Sequence, residues 1–176
     1  KGLEGVRVIE NLPAVQNSVS LWPWTINAAG NTYIGSGKLD GEGIPPDFFS
    51  DIHVRRGFSY LFPYDVFITK VLKGQAIRIP GPIVKPLLGF SDDPSLFYNF
   101  SLLDAKKEFE QAWDGQLWKK GCKFTIFYYT GGDTQKAACD MIITYANMIN
   151  PKFKITSVGI QWSAYLKAFL TEKLPI

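Results

Sequence analysis

A glycine turn, Thr130-Gly131-Gly132-Asp133, carries the residues best suited to hold a ligand. Backbone N–H groups at the start of a helix attract anions, and glycine lets a ligand approach the backbone closely. A plainer interpretation is that the two glycines only form the turn and that Asp133 caps the following helix. The sequence leaves both interpretations open.

Trp162 is the second candidate, because it stands between the end of a predicted strand and the start of a predicted helix. An indole in that position can stack on a ligand or pack on the core, and both interpretations remain open. A second tryptophan cluster, Trp22-Pro23-Trp24, is more typical of packing or of an interdomain contact.

Residues able to catalyse a reaction are few. His53 is the one histidine of the chain, so a histidine-centred metal site or catalytic triad lacks partners. The carboxylates are scattered, and the chain has no phosphate loop, dinucleotide fingerprint or metal-ligand spacing. We therefore predict no enzymatic activity, no cofactor and no bound metal, and an enzyme centred on Asp133 or Cys122 is the weakest alternative. His53 is predicted to be a surface or capping residue, and Arg55 and Arg56 to form a solvated helix face.

The elements that position the two candidates follow one another in the second half of the chain. They are a strand at Phe124–Tyr129, a helix from the glycine turn to about Asn150, a strand at Phe153–Ile160 and a last helix capped by Ser163. The first of these helices has a predicted buried face of Ala137, Ala138, Met141, Ile142, Tyr145 and Ile149. Strand, helix and strand in this order predict parallel strands joined by a right-handed crossover.

In parallel sheets, ligands bind beyond the carboxyl ends of the strands. Residues Tyr128 to Asp133 and Gln161 to Ser163 are therefore predicted to meet at one edge of the sheet. We call this edge the rim and take it as the candidate binding site.

The first half of the chain predicts a supporting layer. The predicted elements are strands Val6–Glu10 and Val15–Asn27, a brief strand at Tyr33 and Ile34, and helices Ile52–Phe62, Tyr64–Leu72 and Ala105–Trp113. Either Ser50 or Asp51 is the predicted cap of the first of these helices and Asp104 that of the third, and Val54, Phe58 and Leu61 form an apolar stripe. The connection Gln75 to Leu103 is long and irregular, which is typical of a functional loop or of a segment wrapped on another surface.

Composition narrows the class of protein. The 176 residues are 46% hydrophobic, which fits one domain with a real core and excludes disorder. The net charge of +3, without a run of basic residues, argues against a nucleic-acid partner. No apolar stretch approaches about 20 residues, so we predict no membrane-spanning segment, and no signal peptide is visible.

The two cysteines, Cys122 and Cys139, are predicted to be free and buried. The strand from Cys122 to Tyr129 advances about 23 Å, and the antiparallel helix returns only about 8 Å by Cys139. The remaining gap of about 15 Å exceeds the Cα separation of about 7 Å that a disulfide allows.

Three stretches carry a family resemblance: Asp51 to Tyr60, Tyr64 to Ile83, and the strand–helix–strand unit that begins at Phe124. They resemble the extracellular substrate-binding proteins of ABC importers, in particular the oligopeptide, dipeptide and nickel-binding family, solute-binding family 5. Asp51 to Tyr60 resembles the D-V-R-V-R-Q-A helix of that family, and Tyr64 to Ile83 resembles the segment that follows it. Phe124 to Thr130, followed by an alanine-rich helix and then Val158 to Leu166, resembles its strand–helix–strand pattern, which ends in W-x-x-Y.

The resemblance implies an α/β fold with a mixed sheet, in which two lobes close on a ligand by a hinge. This chain matches part of the C-terminal lobe, lobe II. Trp162 falls on the tryptophan that lines the family's pocket, and Tyr129, Thr130, Gly131 and Asp133 fall on the loop that faces ligand side chains. Tyr129 stands where many relatives have asparagine.

By this resemblance, the chain is expected to be a ligand-binding lobe that captures oligopeptides for import. Its expected partners are a short peptide or oligosaccharide and, through the full-length protein, a membrane permease. The expected location is periplasmic or extracellular, with membrane attachment through a segment outside this chain. The family also includes binders of cello-oligosaccharides, so an oligosaccharide ligand is the first alternative. A non-catalytic protein-interaction domain that uses its long loops is the second.

Overall fold

The computed structural model describes residues 5–7, 17–18 and 22–175. Of the predicted strands Val6–Glu10 and Val15–Asn27, residues 8–10, 15–16 and 19–21 lie outside the described residues, and residues 22–27, which are described, form no strand. In the described part of the chain, the strands are β1 (Cys122–Tyr129) and β2 (Phe153–Ile160). The α-helices there are α1 (Ile52–Leu61), α2 (Tyr64–Val66), α3 (Leu102–Gln111), α4 (Gln116–Lys120), α5 (Asp133–Ile149) and α6 (Trp162–Leu170).

β1 and β2 form a parallel pair in which Cys122 lies opposite Phe153 and Tyr129 lies opposite Ile160. The helix α5 connects them, so the predicted α/β class and the strand–helix–strand unit are confirmed. The predicted sheet was mixed, whereas the strands within the described residues form only this parallel pair. The assignment to lobe II stays a prediction.

The two faces of the sheet differ because side chains alternate along a strand. One face presents Phe124 and Phe153, which are buried. The opposite face is polar where the strands begin. There, Lys123 and Lys154 both pair with Glu42, at 3.1 Å for the Lys123 Nζ. The ammonium group of Lys154, and to a smaller extent that of Lys123, lowers the pKa of the Glu42 carboxyl.

The buried face of the sheet packs on a group of aromatic rings. Phe124 has its ring centroid 5.9 Å from that of Phe48, 5.8 Å from that of Phe49 and 6.2 Å from that of Phe58. Phe58 belongs to the predicted apolar stripe of α1, and all three residues of that stripe are buried: Val54, Phe58 and Leu61. The 3.6-residue period of α1 therefore predicted its core face correctly.

α1 and α3 approach closely at Gly57. A Cβ atom on Gly57 would lie 2.5–2.8 Å from three ring atoms of Phe109. The Phe109 ring is fully buried, with Phe58 at 5.1 Å and Phe153 at 5.2 Å between centroids, so it has little space to move away.

We expect Gly57→Ala to destabilise the protein. Alanine in a helix interior gains about 1 kcal/mol over glycine, but overpacking a buried ring costs about 1–3 kcal/mol. The expected net loss is up to about 2 kcal/mol, measured by urea unfolding. The control is Arg56→Ala at the neighbouring exposed position of α1, which should change the free energy of unfolding by less than about 0.5 kcal/mol. A gain in stability from Gly57→Ala would contradict the close packing.

Two predicted helix caps are wrong. α3 begins at Leu102 and is capped by Ser101, whose Oγ accepts from the Asp104 N–H at 3.1 Å and donates to the Asp104 carboxylate at 2.7 Å. Asp104 is thus the third helical residue. Ser163 lies inside α6, which begins at Trp162 without a side-chain cap. A polar residue near a helix start has several possible cap positions, and the sequence pattern did not choose between them.

Two other segments also differ from prediction. Tyr33 and Ile34 lie in a 3₁₀ turn, Thr32–Ile34, rather than in a strand, and an antiparallel bridge forms just beyond them between Gly35 and Gly43. The predicted helix Tyr64–Leu72 is one α-turn, Tyr64–Val66, followed by a π-helical turn, Phe67–Val71. The apolar pattern of this segment predicts burial of Val66, Phe67, Val71 and Leu72, but Val66 is exposed and the other three are only half-buried.

The long connection after residue 75 is held to α2 by Arg78. The Arg78 guanidinium lies 4.4 Å from the Tyr64 ring centroid and 5.0 Å from that of Phe97, and it donates to the Tyr98 carbonyl and to Asn99 Oδ1. Burial raises the pKa of Tyr64, although the guanidinium charge acts in the opposite direction. The connection therefore packs on its own chain through a cation between two aromatic rings.

α5 buries a narrower stripe than predicted. Its fully buried residues are Cys139, Ile142 and Ala146, so only Ile142 of the predicted face is fully buried. The helix meets the sheet along an i, i+3, i+7 line, which leaves residues such as Met141 and Tyr145 at the margins, half-buried. The predicted end of the helix is confirmed, because Ile149 is its last residue before Asn150 and Pro151.

Arg55 is not the solvated residue that the sequence predicted. It is half-buried, donates to the carbonyls of Phe49 and Ser50, and lies 4.7 Å from the Trp24 ring centroid. Arg56 is exposed, as predicted. Among the described residues, no helix has the length and the apolar composition that crossing a membrane requires.

Candidate ligand-binding site

The rim forms where both strands end. β1 ends at Tyr129 and β2 at the paired residue Ile160, and the next residue, Thr130, donates its N–H to the Ile160 carbonyl at 2.8 Å. α5 begins three residues further on, and α6 begins two residues after the end of β2. The parallel pairing therefore places the glycine turn and Trp162 at the same edge of the sheet, as the strand order predicted.

The glycine turn is tight, with Thr130, Gly131 and Asp133 exposed and Gly132 buried. Gly131 has φ +93°, a conformation that L-residues with a side chain rarely adopt, and Gly132 donates its N–H to the Tyr129 carbonyl at 2.9 Å. Asp133 is the first residue of α5 and makes no side-chain cap, because the cap position belongs to Gly132. The alternative role of Asp133 as a cap is therefore wrong. Its exposed carboxylate lies in the first turn of the helix, where a negative charge is favourable.

Trp162 stands out from the surface at the rim. Its side chain is 59% exposed, so the interpretation that it packs into the core is wrong. The ring centroids of Tyr129 and Trp162 are 5.8 Å apart and the rings are nearly perpendicular, at 85°. Two of the residues that the sequence singled out thus contact each other, although they are 33 positions apart along the chain.

Tyr165 joins these two rings and was not among the predicted site residues. Its ring is stacked on that of Trp162, with centroids 5.8 Å apart and an angle of 12° between the planes. Burial raises the pKa of the Tyr165 hydroxyl. The spacing of the two residues, i and i+3 on one helix, is the signal that predicts this contact. We call Tyr129, Trp162 and Tyr165 the aromatic trio.

The remaining predicted site residues lie in the turn between Tyr129 and α5. Thr130, Gly131 and Asp133 are exposed, and within the described residues no side-chain hydrogen bond or ion pair holds Thr130 or Asp133. Their polar groups are therefore free to face a ligand beside the rings. The arrangement offers aromatic surface, backbone N–H groups at the start of α5 and one carboxylate, which suits binding rather than a chemical step.

The chain's histidine and acidic side chains do not gather into a metal-binding group in the part of the chain that the structure describes. No group of three or more histidine, cysteine, aspartate or glutamate side chains there is placed to hold a metal ion. His53 is half-buried and pairs through Nδ1 with Glu108 Oε2 at 2.7 Å, which joins α1 to α3. The bond gives this histidine a structural role rather than the surface position that was predicted.

Cys122 and Cys139 are free and buried, as predicted. Burial raises the pKa of the Cys122 thiol and raises that of Cys139 to about 11. Both thiols are therefore neutral at physiological pH and are poor nucleophiles.

The raised pKa values predict a loss of stability in alkali. An unfolded thiol ionises near pH 9, while the native Cys139 thiol keeps its proton to about pH 11. Between these values the native state binds more protons than the unfolded state, so the free energy of unfolding falls by up to about 1.4 kcal/mol per pH unit for each thiol. Urea unfolding at pH 8 to 10.5 measures this slope, which Cys139→Ala should reduce. An unchanged slope in that variant would contradict the buried state of Cys139.

Comparison with known proteins bears on the class of the chain. The family model of the bacterial extracellular solute-binding proteins, family 5, middle region, matches residues 10–175. No curated protein sequence matches the chain significantly. A solved structure with the same fold is that of a periplasmic oligopeptide-binding protein of an oligopeptide ABC transporter from Thermotoga maritima, with mannohexaose bound. The TM-score is 0.51 at 14% sequence identity, and the match covers 65% of this chain. It covers 24% of the Thermotoga chain, so the matched region is about a quarter of that protein.

Proposed function

Because the chain belongs to the bacterial extracellular solute-binding proteins of family 5, we propose that it is part of the ligand-binding surface of a receptor that delivers solutes to an ABC importer. The full-length protein captures its ligand outside the cytoplasmic membrane, at a periplasmic or extracellular site, and passes it to a membrane permease. It is attached to the membrane by a segment outside this chain. The 176 residues act as one domain of that receptor and catalyse no reaction.

The aromatic trio is the observation that supports this proposal most strongly. Evolution of a stable fold favours burying large aromatic rings, since each removes about 150–250 Å² of surface from water. Trp162 instead lies 59% exposed at the carboxyl end of a parallel strand pair, with Tyr129 beside it. Ligands of α/β proteins bind at this end of the strands, so the rings are placed where a ligand would cover them.

Oligopeptides are the ligand class that we propose first. Asp133 is exposed at the rim, four residues after Tyr129, and its carboxylate attracts a cationic group such as a peptide amine or a basic side chain. Gly131 and Asp133 are exposed, and their N–H groups can donate to peptide carbonyls, whereas those of Thr130 and Gly132 already donate to carbonyls of the protein. Apolar or aromatic side chains of the peptide would pack on Trp162 and Tyr129.

Oligosaccharides are the second candidate, and one specific observation favours them. The Thermotoga protein with the same fold holds mannohexaose, although it is described as an oligopeptide-binding protein. The exposed indole of Trp162 suits the apolar face of a sugar ring as well as it suits a side chain.

Isothermal titration calorimetry on the full-length protein separates these candidates. A mixture of tri- to pentapeptides is expected to bind with a negative change in heat capacity, since apolar surface is buried. Binding of mannohexaose with no response to peptides would replace the first ligand class by the second and would leave the receptor role in place. No binding of either class would contradict the proposed function.

A further inference from the structure

Trp162 contacts two aromatic rings at the rim even though most of its surface is exposed. An exposed side chain normally samples several rotamers. Restricting it to one rotamer when a ligand binds costs about 0.5–1.5 kcal/mol, which lowers the affinity by a factor of roughly two to ten. A contact that fixes the indole before the ligand arrives removes this cost.

Tyr165 makes such a contact. Trp162 and Tyr165 lie at i and i+3 on α6, where side chains are neighbours on one face of the helix. The nearly parallel rings, 5.8 Å apart between centroids, place Tyr165 against one face of the indole. Tyr165 is half-buried while Trp162 is 59% exposed, so the tyrosine lies on the protein side of the stack.

Tyr129 limits the indole from a second direction and is itself held in place. A Cβ atom on Gly132 would lie 3.1 Å from Cε1 of Tyr129 and 3.0 Å from its carbonyl oxygen, so the Tyr129 ring rests against the glycine turn. The ring is nearly perpendicular to the indole. The indole thus contacts one ring in a stack and a second ring at a right angle, an arrangement that only a narrow range of Trp162 rotamers allows.

We propose that Tyr165 is a positioning residue, which holds Trp162 by stacking on one face of the indole and leaves the opposite face to the ligand. Only the consequence for binding, that a ligand ring packs on the opposite face of the indole, rests on the proposed function. The positioning itself is a property of the unliganded protein. Tyr165 is half-buried, so it offers a ligand a smaller share of its surface than the exposed Trp162 does.

Fluorine NMR on full-length protein labelled with 5-fluorotryptophan tests the positioning without any ligand. The resonance of Trp162 is the one that disappears in Trp162→Phe. Tyr165→Leu removes the ring current of the stack, so this resonance is expected to move toward the position of an exposed fluorotryptophan and to show a larger H₂O/D₂O shift. Tyr165→Phe keeps the stack and should leave both values close to those of the wild type. Phe169→Leu is the matched control, because Phe169 is an exposed aromatic residue of the same helix. A Trp162 resonance that is unchanged in Tyr165→Leu would overturn the proposal.

Affinity measurements then separate positioning from a purely structural role. α6 has no fully buried residue, so Tyr165→Leu should keep the thermal midpoint of the wild type within a few degrees. With mannohexaose or a pentapeptide as the probe, whichever the wild type binds, Tyr165→Leu is expected to raise Kd about twofold to tenfold. Tyr165→Phe should keep the wild-type value.

An unchanged Kd in Tyr165→Leu together with a shifted Trp162 resonance would refute the role in binding. A wild-type protein that binds neither probe would count against the proposed function, while the fluorine result would still decide the positioning.

Discussion

Trp162→Ala is expected to weaken ligand binding by the full-length protein about 30-fold or more, and to leave its stability almost unchanged. Tryptophans that line binding sites are frequent hot spots, whose truncation costs about 2 kcal/mol or more, and 1.4 kcal/mol corresponds to a factor of ten in Kd. The indole is 59% exposed and contacts Tyr129 and Tyr165, so a ligand that covers it gains a large apolar surface. Calorimetry with the ligand that the wild type binds measures the effect.

Stability and binding separate at this position because of the helix that carries it. α6 begins at Trp162 and has no fully buried residue, and alanine is the best helix former. The expected change in the free energy of unfolding is below about 1 kcal/mol. Leu170→Ala is the matched control, since Leu170 is a 70% exposed apolar residue at the other end of the same helix. Equal Kd values for Trp162→Ala and the control would show that the rim does not bind the ligand.

The sequence predicted the strand–helix–strand unit well because its signals are local and agree with one another. β-branched and aromatic residues form β1, Gly131 and Gly132 form the turn, and Pro151 follows the end of α5. β2 was predicted with its observed bounds, Phe153–Ile160. Once the strands are parallel, their carboxyl ends must meet, so the contact of Tyr129 with Trp162 follows from topology.

The helix starts were harder to predict because several cap residues compete at each one. Ser101 and Asp104 both have cap side chains, and the structure uses the first as cap and the second as its hydrogen-bond partner. α6 begins with an uncapped Trp162, one residue before the expected Ser163. Local preferences of about 1 kcal/mol do not fix such boundaries when packing of the whole helix decides them.

The candidate site was found through its unusual residues, and the residue that supports them was missed. Trp162 and the glycine turn attract notice by type and by position. Tyr165 is an ordinary helical tyrosine whose importance depends on which residue lies three positions before it and on whether that residue is exposed. Exposure is a property of the folded structure. If another element packed over this face of the helix, Trp162 would be a core residue. Arg55 shows the same limit. Its guanidinium donates to the carbonyls of Phe49 and Ser50, which precede α1, and the helical pattern of α1 does not predict these contacts.

Phe124→Ala is expected to cause the largest loss of stability of any substitution proposed for this chain, about 3–5 kcal/mol. Phe124 is 2% exposed and lies in β1, where its ring contacts those of Phe48, Phe49 and Phe58. Truncation leaves a cavity among rigid rings that cannot collapse into it. Because domains are stable by only about 5–15 kcal/mol, the loss should be visible as a large fall in the urea midpoint.

The matched control for this experiment is Phe169→Ala on α6. Phe169 is 45% exposed, so the same change of side chain removes less contact and opens no cavity, and the expected loss is below about 1 kcal/mol. A large difference between the two variants shows that the aromatic rings around Phe124 form the core on which β1 is built. Since β1 ends at Tyr129, loosening that core should also disturb the rim, and Phe124→Ala is expected to weaken ligand binding even where the protein remains folded. Equal losses for Phe124→Ala and Phe169→Ala would contradict this arrangement, because the free energy would then depend on the residue type and not on its burial.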